Sequence, residues 1–473
     1  GEFVWTGRLS GRADEAVITG EAGLPELVYR RGDRSVRETD LRLSHDIAVN
    51  AGRKRISLRK VSLDAPALTA DASGRIDEYD GRAMLDISGA YSGRWDRIMG
   101  LVYQLAPDAR TLVSLSGESG GPFRITGPAN PPEGSKAGGL TASTTLGWDS
   151  GELLGLPMGK TSFQPSMASG LVAVPGSDIP VGDGTMNLGL RVDLSGGKPM
   201  IRIPGETSVL KNVPITPEIG RKLLSRFNPI FARMVSLSGR VSLTTRDLAL
   251  PLGPEAGPGG GGGTLSFRDV KIGPDGLLAR IMTLTGLGTG QARDLNVRDL
   301  DFRVEKGAIV YEGFTLTLAK DLDLRFKGSV AFDDELNLSV AVPVGEAMMK
   351  RFGAGAKANE YARVLRDMRV TIPIAGTRKE PILKLGEVDT AALLGEAARR
   401  LLREGARQGL KDLLDRGDDE REDRAEEEAE PENAPDGPTT NPSDGRSEQP
   451  GRLAPRVIDV IRDVLKNRRE RAE

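Results

Sequence analysis

The chain lacks cysteine and has little of the chemistry on which most active sites depend. None of its 473 residues is Cys, and His45 is the only histidine. Without thiols there are no disulfides, thiolate nucleophiles or thiolate metal ligands, and one histidine cannot supply a histidine pair to a metal. His45 stands among strand-like residues, and we interpret it as a surface or hydrogen-bonded histidine, not as a catalytic base.

Glycine-rich and acidic stretches do not complete any nucleotide or metal motif. Gly286-x-Gly288-x-Gly290 follows a helical stretch and lacks the third glycine of a dinucleotide fingerprint at the required offset. Asp321-x-Asp323 lacks the glycine and terminal glutamate of a calcium loop. Basic residues do not cluster with aromatic ones, so nucleic-acid binding is not expected. We therefore predict a protein that is not an enzyme and has no metal or cofactor.

Aromatic residues and long apolar runs are also scarce. Aromatics make up 4% of the chain, whereas Gly numbers 60 and Pro 29, which favours many short strands over a thick core. No window approaches the roughly 20 apolar residues of a membrane-spanning helix. Because Gly1 is not an initiator methionine, we interpret the chain as a fragment and expect any membrane anchor to precede it.

What is present is alternation. Between residues 300 and 344, apolar and polar side chains alternate with a period of two, which predicts half-buried antiparallel strands joined by hairpins. Weaker copies occur upstream, and the register around Ile309–Tyr311 is ambiguous. The apolar members, which we take as candidate lining of a lipid groove, are Phe302, Val304, Phe314, Leu316, Leu318, Leu322, Leu324, Phe326, Val330, Phe332, Leu336, Leu338, Val340 and Val342.

Helical spacing, capping residues and composition divide the chain further. Thr216 followed by Pro217 is a helix start, and Pro229 should kink that helix. Short helices are also expected at 277–284 and, with a glycine hinge, at 346–368. The expected segments are a β-rich groove over 1–250 with helices near 94–106 and 216–235, a Gly/Pro-rich loop at 251–263, a second β-groove over 264–385, an amphipathic helix at 389–416, a disordered acidic linker at 417–451 and a basic amphipathic helix at 452–471.

Charge is distributed unevenly along these segments. Between Arg416 and Pro450, 13 acidic residues outnumber four basic ones, so this stretch carries −9 and the rest of the chain +7 of the total −2. A mildly basic body suits an anionic surface or a lipid headgroup, although an ordinary solvated surface explains it equally well. The apolar face leaves two alternatives: it folds onto a second sheet and forms a β-sandwich core, or it receives something apolar.

The C-terminal strand region resembles that of the AsmA-like family of bridge-like lipid transfer proteins. The residues that carry the resemblance are Leu300–Gly307, Leu322–Val330, Leu336–Val342, Val370–Thr377 followed by Pro381, and, less specifically, Val213–Pro217. The resemblance implies a mainly β fold, with an elongated, curved antiparallel sheet in a groove or taco-like form, a few amphipathic helices and a C-terminal helix. The family's N-terminal anchor is not found in this sequence, and the acidic tail is not a family feature.

The resemblance also implies a function and a location. It implies a periplasmic protein, anchored in the inner membrane of a bacterium, that shields phospholipid acyl chains on their way to the outer membrane. We expect phospholipid acyl chains and other envelope proteins as partners. The basic helix at 452–471, which the family does not explain, either lies on a membrane surface, docks on a partner or packs as an ordinary helix. The alternative is a non-enzymatic scaffold or assembly factor for outer-membrane proteins, which would use an open sheet edge.

Overall fold

A computed structural model describes residues 4–12, 15–32, 34–130, 139–195, 199–234, 236–252, 258–288, 293–319 and 322–427. The chain divides into one compact unit over residues 1–405 and a second over 406–473. The described part of the second unit is the continuation of the last helix.

Strands dominate the described chain. They are β1 (Val4–Arg12), β2 (Glu15–Arg31), β3 (Arg34–Asn50), β4 (Arg55–Asp64), β5 (Leu68–Asp77), β6 (Met84–Arg94), β7 (Val113–Ser116), β8 (Glu118–Pro128), β9 (Thr141–Thr144), β10 (Leu146–Trp148), β11 (Ser150–Leu153), β12 (Leu156–Met158), β13 (Thr161–Phe163), β14 (Ser166–Ala168), β15 (Leu171–Val174), β16 (Asp178–Val181), β17 (Gly184–Asn187), β18 (Leu190–Asp193), β19 (Met200–Pro214), β20 (Leu237–Pro251), β21 (Gly260–Ile272), β22 (Arg293–Val297), β23 (Leu300–Glu305), β24 (Ala308–Ala319), β25 (Leu322–Ala331), β26 (Leu336–Pro343), β27 (Arg369–Gly376) and β28 (Pro381–Leu383).

Helices interrupt the strands at a few places. They are α1 (Trp95–Leu105), α2 (Ala109–Leu112), α3 (Pro217–Lys222), α4 (Gly276–Thr285), α5 (Glu346–Arg351), α6 (Ala358–Val364) and α7 (Thr390–Glu427), with 3₁₀ turns at Leu224–Arg226, Pro229–Phe231, Gly355–Lys357 and Leu385–Glu387. Within the described ranges, no helix is both long and apolar enough to cross a bilayer.

One antiparallel sheet joins most strands. Pairing runs from β1 through β6 to β8, then β9, β14, β15, β18, β19, β20 and β21. Strand β21 pairs with both β22 and β23, which pair with β24, and the sheet continues to β28. A second branch of β7, β11, β12, β16 and β17 also ends on β19. The predicted mainly β, antiparallel fold with a few helices and a C-terminal helix is confirmed.

The expected Gly/Pro-rich loop at 251–263 is wrong for residues 260–263, which form a strand. The glycine run lies within β21, where Gly260 pairs with Ala249 and Gly262 with Arg246. A Cβ on Gly263 would lie 2.9 Å from the ring of Phe302 on β23, so glycine permits close strand packing here. The sheet therefore passes from β20 to β21 without a module boundary.

Local signals explain where the helices begin. The Thr216 side chain accepts a hydrogen bond from the Ile219 amide and caps α3, and Asn228 caps the turn at Pro229 in the same way. The single helix expected near 216–235, with a kink at Pro229, is wrong, because α3 ends at Lys222 and separate 3₁₀ turns follow at Leu224–Arg226 and Pro229–Phe231. Asp389 accepts from the Ala392 amide at the start of α7. That helix runs to Glu427 and not to residue 416, so residues 418–427 are helical. The rest of the expected acidic linker and the helix at 452–471 lie outside the described residues.

Candidate functional site: an apolar row across the open half of the sheet

The fourteen residues expected to line a groove share one face of β23–β26, but that face is not open. Leu324 and Phe326 are fully buried, and twelve of the fourteen belong to one closed core, with Leu322 and Phe332 packed at its margin. This burial corrects the expectation of an open groove for Phe302, Val304, Phe314, Leu316, Leu318, Leu322, Leu324, Phe326, Val330, Phe332, Leu336, Leu338, Val340 and Val342.

Short helices cover this face, and the cover is well packed. The Phe227 ring lies edge-on to Phe302 with centroids 5.0 Å apart, and the Phe231 ring contacts both Phe267 and Phe314, with centroids 6.0 and 6.2 Å away. Buried residues of α4 and α5 join the same core. We call strands β20–β28 with these helices the covered half. The face is therefore closed, but helices and 3₁₀ turns cover it and not the second sheet of a β-sandwich.

Two polar contacts hold the cover to the sheet. The Asn228 amide donates to the Tyr311 hydroxyl at 3.0 Å, and complete burial raises the pKa of that phenol. Arg378 donates to Asp334 at 2.7 and 3.0 Å and to the Ser225 hydroxyl at 2.7 Å. Burial disfavours the charged form of Asp334, but the hydrogen bonds and charge of Arg378 outweigh it, so the pKa of this carboxyl lies below its usual value.

The remainder of the main sheet carries a continuous line of mostly apolar residues that no helix in the described ranges buries in this way. Directly paired residues in an antiparallel sheet point to the same side, and the strand register connects one residue per strand across 13 strands. We call this line the apolar row: Leu9, Ile18, Ile47, Leu58, Gly74, Ile87, Ile125, Ala142, Met167, Val172, Val192, Ile201 and Leu250.

The apolar row is accessible along most of its length. Leu9 is 69% exposed on the edge strand, and its partners from Ile18 to Ile201 are half-buried. At the other end Leu250 packs against the core of the covered half. A parallel line of half-buried residues, running through Val49, Ile56 and Leu85, lies beside it. We call strands β1–β6, β8, β9, β14, β15 and β18 the open half.

The opposite face of the open half is charged. Arg55 pairs with Asp77, Asp77 with Arg75 at 3.2 Å, and Arg75 with Asp86 at 3.1 Å, which Arg124 also contacts at 3.1 Å. The hydrogen bond from Arg55 holds the pKa of Asp77 below its usual value, against the opposing effect of burial. These ion pairs mark the solvent side, so the apolar side is the one available for an apolar ligand.

Near the edge of the sheet, the only histidine lies on the apolar side. The Trp5 indole donates to His45 Nε2 at 3.3 Å, and the two rings stack with centroids 6.3 Å apart. The Trp5 ring covers Gly7, and a Cβ added at Gly7 would lie 2.2 Å from that ring. Among the described residues, none pairs with His45 Nδ1, and the neighbouring groups form no acid–base or nucleophilic arrangement.

The site therefore has the chemistry of a surface for apolar contact. In the described ranges, no three His, Asp or Glu side chains come together to hold a metal ion. Alternation in the sequence marks Ile47, Leu58 and Ile125 as strand residues, but it does not mark the row, because the row depends on which strands pair and in which register. Gly74 and Ala142 also belong to the apolar row, but neither residue is large and apolar, so sequence alternation does not identify them.

Comparisons of the chain with protein-family models, curated proteins and solved structures found no match.

Proposed function

We propose that the open half of the sheet shields lipid acyl chains, which lie along the apolar row while their headgroups stay in water. The observation that carries this proposal is the half-exposed row itself, backed by an ion-paired outer face. The covered half supplies the stable core to which the row is attached. Carriage of phospholipid between the two membranes of a bacterial envelope extends the proposal and rests on the resemblance to the AsmA-like family.

The dimensions suit this role. Thirteen strands at about 4.8 Å spacing give a row on the order of 58 Å long. Each methylene removed from water contributes about 0.8 kcal/mol. Because the row offers similar side chains on each strand and no deep pocket, an acyl chain would bind in many overlapping positions, which suits movement along the sheet.

A scaffold function is the alternative, and one observation favours it. Among the described residues, strand β28 pairs with β27 alone, and an edge of this kind can accept a strand from another protein. A scaffold of this kind needs the edge but not the apolar row.

Photocrosslinking separates the two functions. We would place a benzophenone amino acid at position 87, on the apolar row, or at position 88, on the opposite face of the same strand, and irradiate the chain during expression. Lipid adducts at 87 and not at 88, detected by mass spectrometry, are expected. Protein adducts alone, or equal lipid adducts at both positions, would overturn the lipid proposal.

A further inference from the structure

Helix α1 lies over one margin of the apolar side of the open half. Gly93 is six residues from Ile87 on β6, so both positions face the same side of the sheet. A Cβ added at Gly93 would lie 3.0 Å from the Ile98 side chain of α1 and 3.1 Å from that of Leu68 on β5. Met99, beside Ile98 in the helix, is buried. The helix therefore closes this margin with apolar side chains.

Strand β10 continues this closure over β8. Gly121 lies on the apolar side of β8, and a Cβ added there would lie 2.8 Å from the side chain of Thr145, the residue before β10. The Tyr91 hydroxyl donates to the Thr145 carbonyl at 2.6 Å, and the Trp95 indole of α1 donates to the Gly147 carbonyl at 2.6 Å. These bonds hold β10 and α1 together against the sheet. We call α1 and β10, with Thr145, the wall.

The opposite margin of the same face is charged. The turn between β3 and β4 lies beside the turn between β5 and β6, because the Tyr79 amide donates to the Lys54 carbonyl at 3.2 Å. Lys54 forms an ion pair with Asp80 at 2.8 Å, and Arg53 and Arg82 belong to the same two turns. We call these two turns the charged margin. The apolar side of the open half is thus bordered by apolar side chains at one end of its strands and by charges at the other.

The distance between the two margins suits an acyl chain that runs along the strands. Strand β6 extends from Met84 at the charged margin to Gly93 under the wall, nine residues apart, or roughly 30 Å at about 3.3 Å per residue. The chains of one bilayer leaflet span about 15 Å, half of the hydrocarbon core. Between the margins lie Ile87 of the apolar row and Gly89, over which the Phe123 ring packs.

We propose that the wall and the charged margin fix the direction of each bound lipid, with the ends of its acyl chains at the wall and its headgroup at the charged margin. Contact with Ile98 and its neighbours removes the chain ends from water. A charged headgroup placed there would lose its hydration, whereas the charged margin preserves it. Lipids then lie side by side along the apolar row. This inference rests on the proposed function and adds the orientation of the lipid.

Two photoreactive phosphatidylglycerols test the orientation on the full chain. One carries a diazirine at the end of an acyl chain, and the other carries it on the headgroup. After irradiation, peptide mass spectrometry locates the adducts. The chain-end probe should label the wall about tenfold more than residues 51–54 and 78–83, since burying two methylenes contributes that factor. The headgroup probe should show the opposite preference.

The outcomes separate the orientation from the proposed function. Equal labelling of both margins by each probe, or the reversed preference, would overturn the fixed direction and leave acyl-chain binding in place. If neither probe forms adducts with the open half, the proposed function fails and the orientation fails with it.

A matched pair of variants on α1 gives a second readout. Ile98→Asp should place a carboxylate among the chain ends and lower chain-end labelling of the wall about tenfold. Arg97→Asp, at the exposed neighbouring position, should leave that labelling unchanged. Thermal unfolding checks that both variants fold, and labelling of the parent decides the proposal if Ile98→Asp does not. Equal labelling of the two folded variants would contradict contact between the chain ends and the wall.

Discussion

A single carboxylate on the apolar row should weaken lipid binding while leaving the fold intact. Ile87 lies on β6 between Gly74 and Ile125, and it is half-buried. In Ile87→Asp the carboxylate can stay in contact with water, so the cost to stability should be about 1 kcal/mol. At Leu324, which is fully buried, the same change would bury an unpaired charge at a cost of several kcal/mol. Leu324→Asp should therefore fail to fold.

The loss of lipid affinity in Ile87→Asp can be estimated from the methylenes that the carboxylate keeps in water. If the carboxylate keeps about three methylenes in water, roughly 2.4 kcal/mol of lipid affinity is lost at about 0.8 kcal/mol each, which is about 50-fold. The control is Ser88→Asp, an exposed position on the charged face of the same strand. Bound phospholipid is measured by native mass spectrometry and stability by denaturant unfolding.

Two results would refute the reasoning. If Ile87→Asp and Ser88→Asp retain equal amounts of lipid, the apolar row does not hold acyl chains. If Ile87→Asp unfolds as readily as Leu324→Asp, the open half is a closed core, and the assignment of the row as accessible is wrong.

Two further predictions concern the covered half. Tyr311→Phe should lower the free energy of unfolding by about 1–3 kcal/mol, because the buried Asn228 amide loses its acceptor. Denaturant titration measures this loss, with Tyr29→Phe at an exposed position as the control. Equal stability of the two variants would contradict the prediction. Because the folded pKa of Asp334 is depressed, its stabilisation is present above the ordinary carboxyl pKa of about 3.9 and is lost as pH falls through the lower folded value. The difference in unfolding midpoint between the parent and Asp334→Asn should thus shrink from neutral pH to about pH 2, and a constant difference would contradict the Arg378–Asp334 pairing.

Much of the fold is predictable because the decisive signals are local. Alternation predicts β23, β25 and β26, and Thr216-Pro217 and Asn228-Pro229 mark helix starts. The ambiguity around Ile309–Tyr311 also has a physical cause. A bulge between Tyr311 and Phe314 shifts the inward side chains from odd to even positions within one strand.

What is not predictable depends on contacts between distant residues. Alternation places Leu324 on an apolar face, but it does not say whether the turn at Pro229–Phe231, α4 and α5, which lie in other parts of the sequence, fold over that face. Gly263 is a strand residue that pairs with Thr245 on β20 and Phe302 on β23, and glycine itself carries no strand signal. The apolar row likewise arises from pairings between successive strands, none of which is specified by the sequence of either strand alone.

The junction at β19 and β20 has a consequence for local stability. Backbone pairing joins β19 to β20 with three register shifts. The buried core belongs to the covered half and to the branch through β12, β16 and β17, whereas most described residues of β1–β6 are half-buried or exposed. Amide protons in β24–β26 should exchange only on global unfolding, and those in β1–β6 through smaller local openings. A lipid bound along the row would stabilise the native state alone and slow those openings. Exchange protection in the first six strands would then rise with lipid occupancy, so the least protected region would also be the most responsive to its ligand.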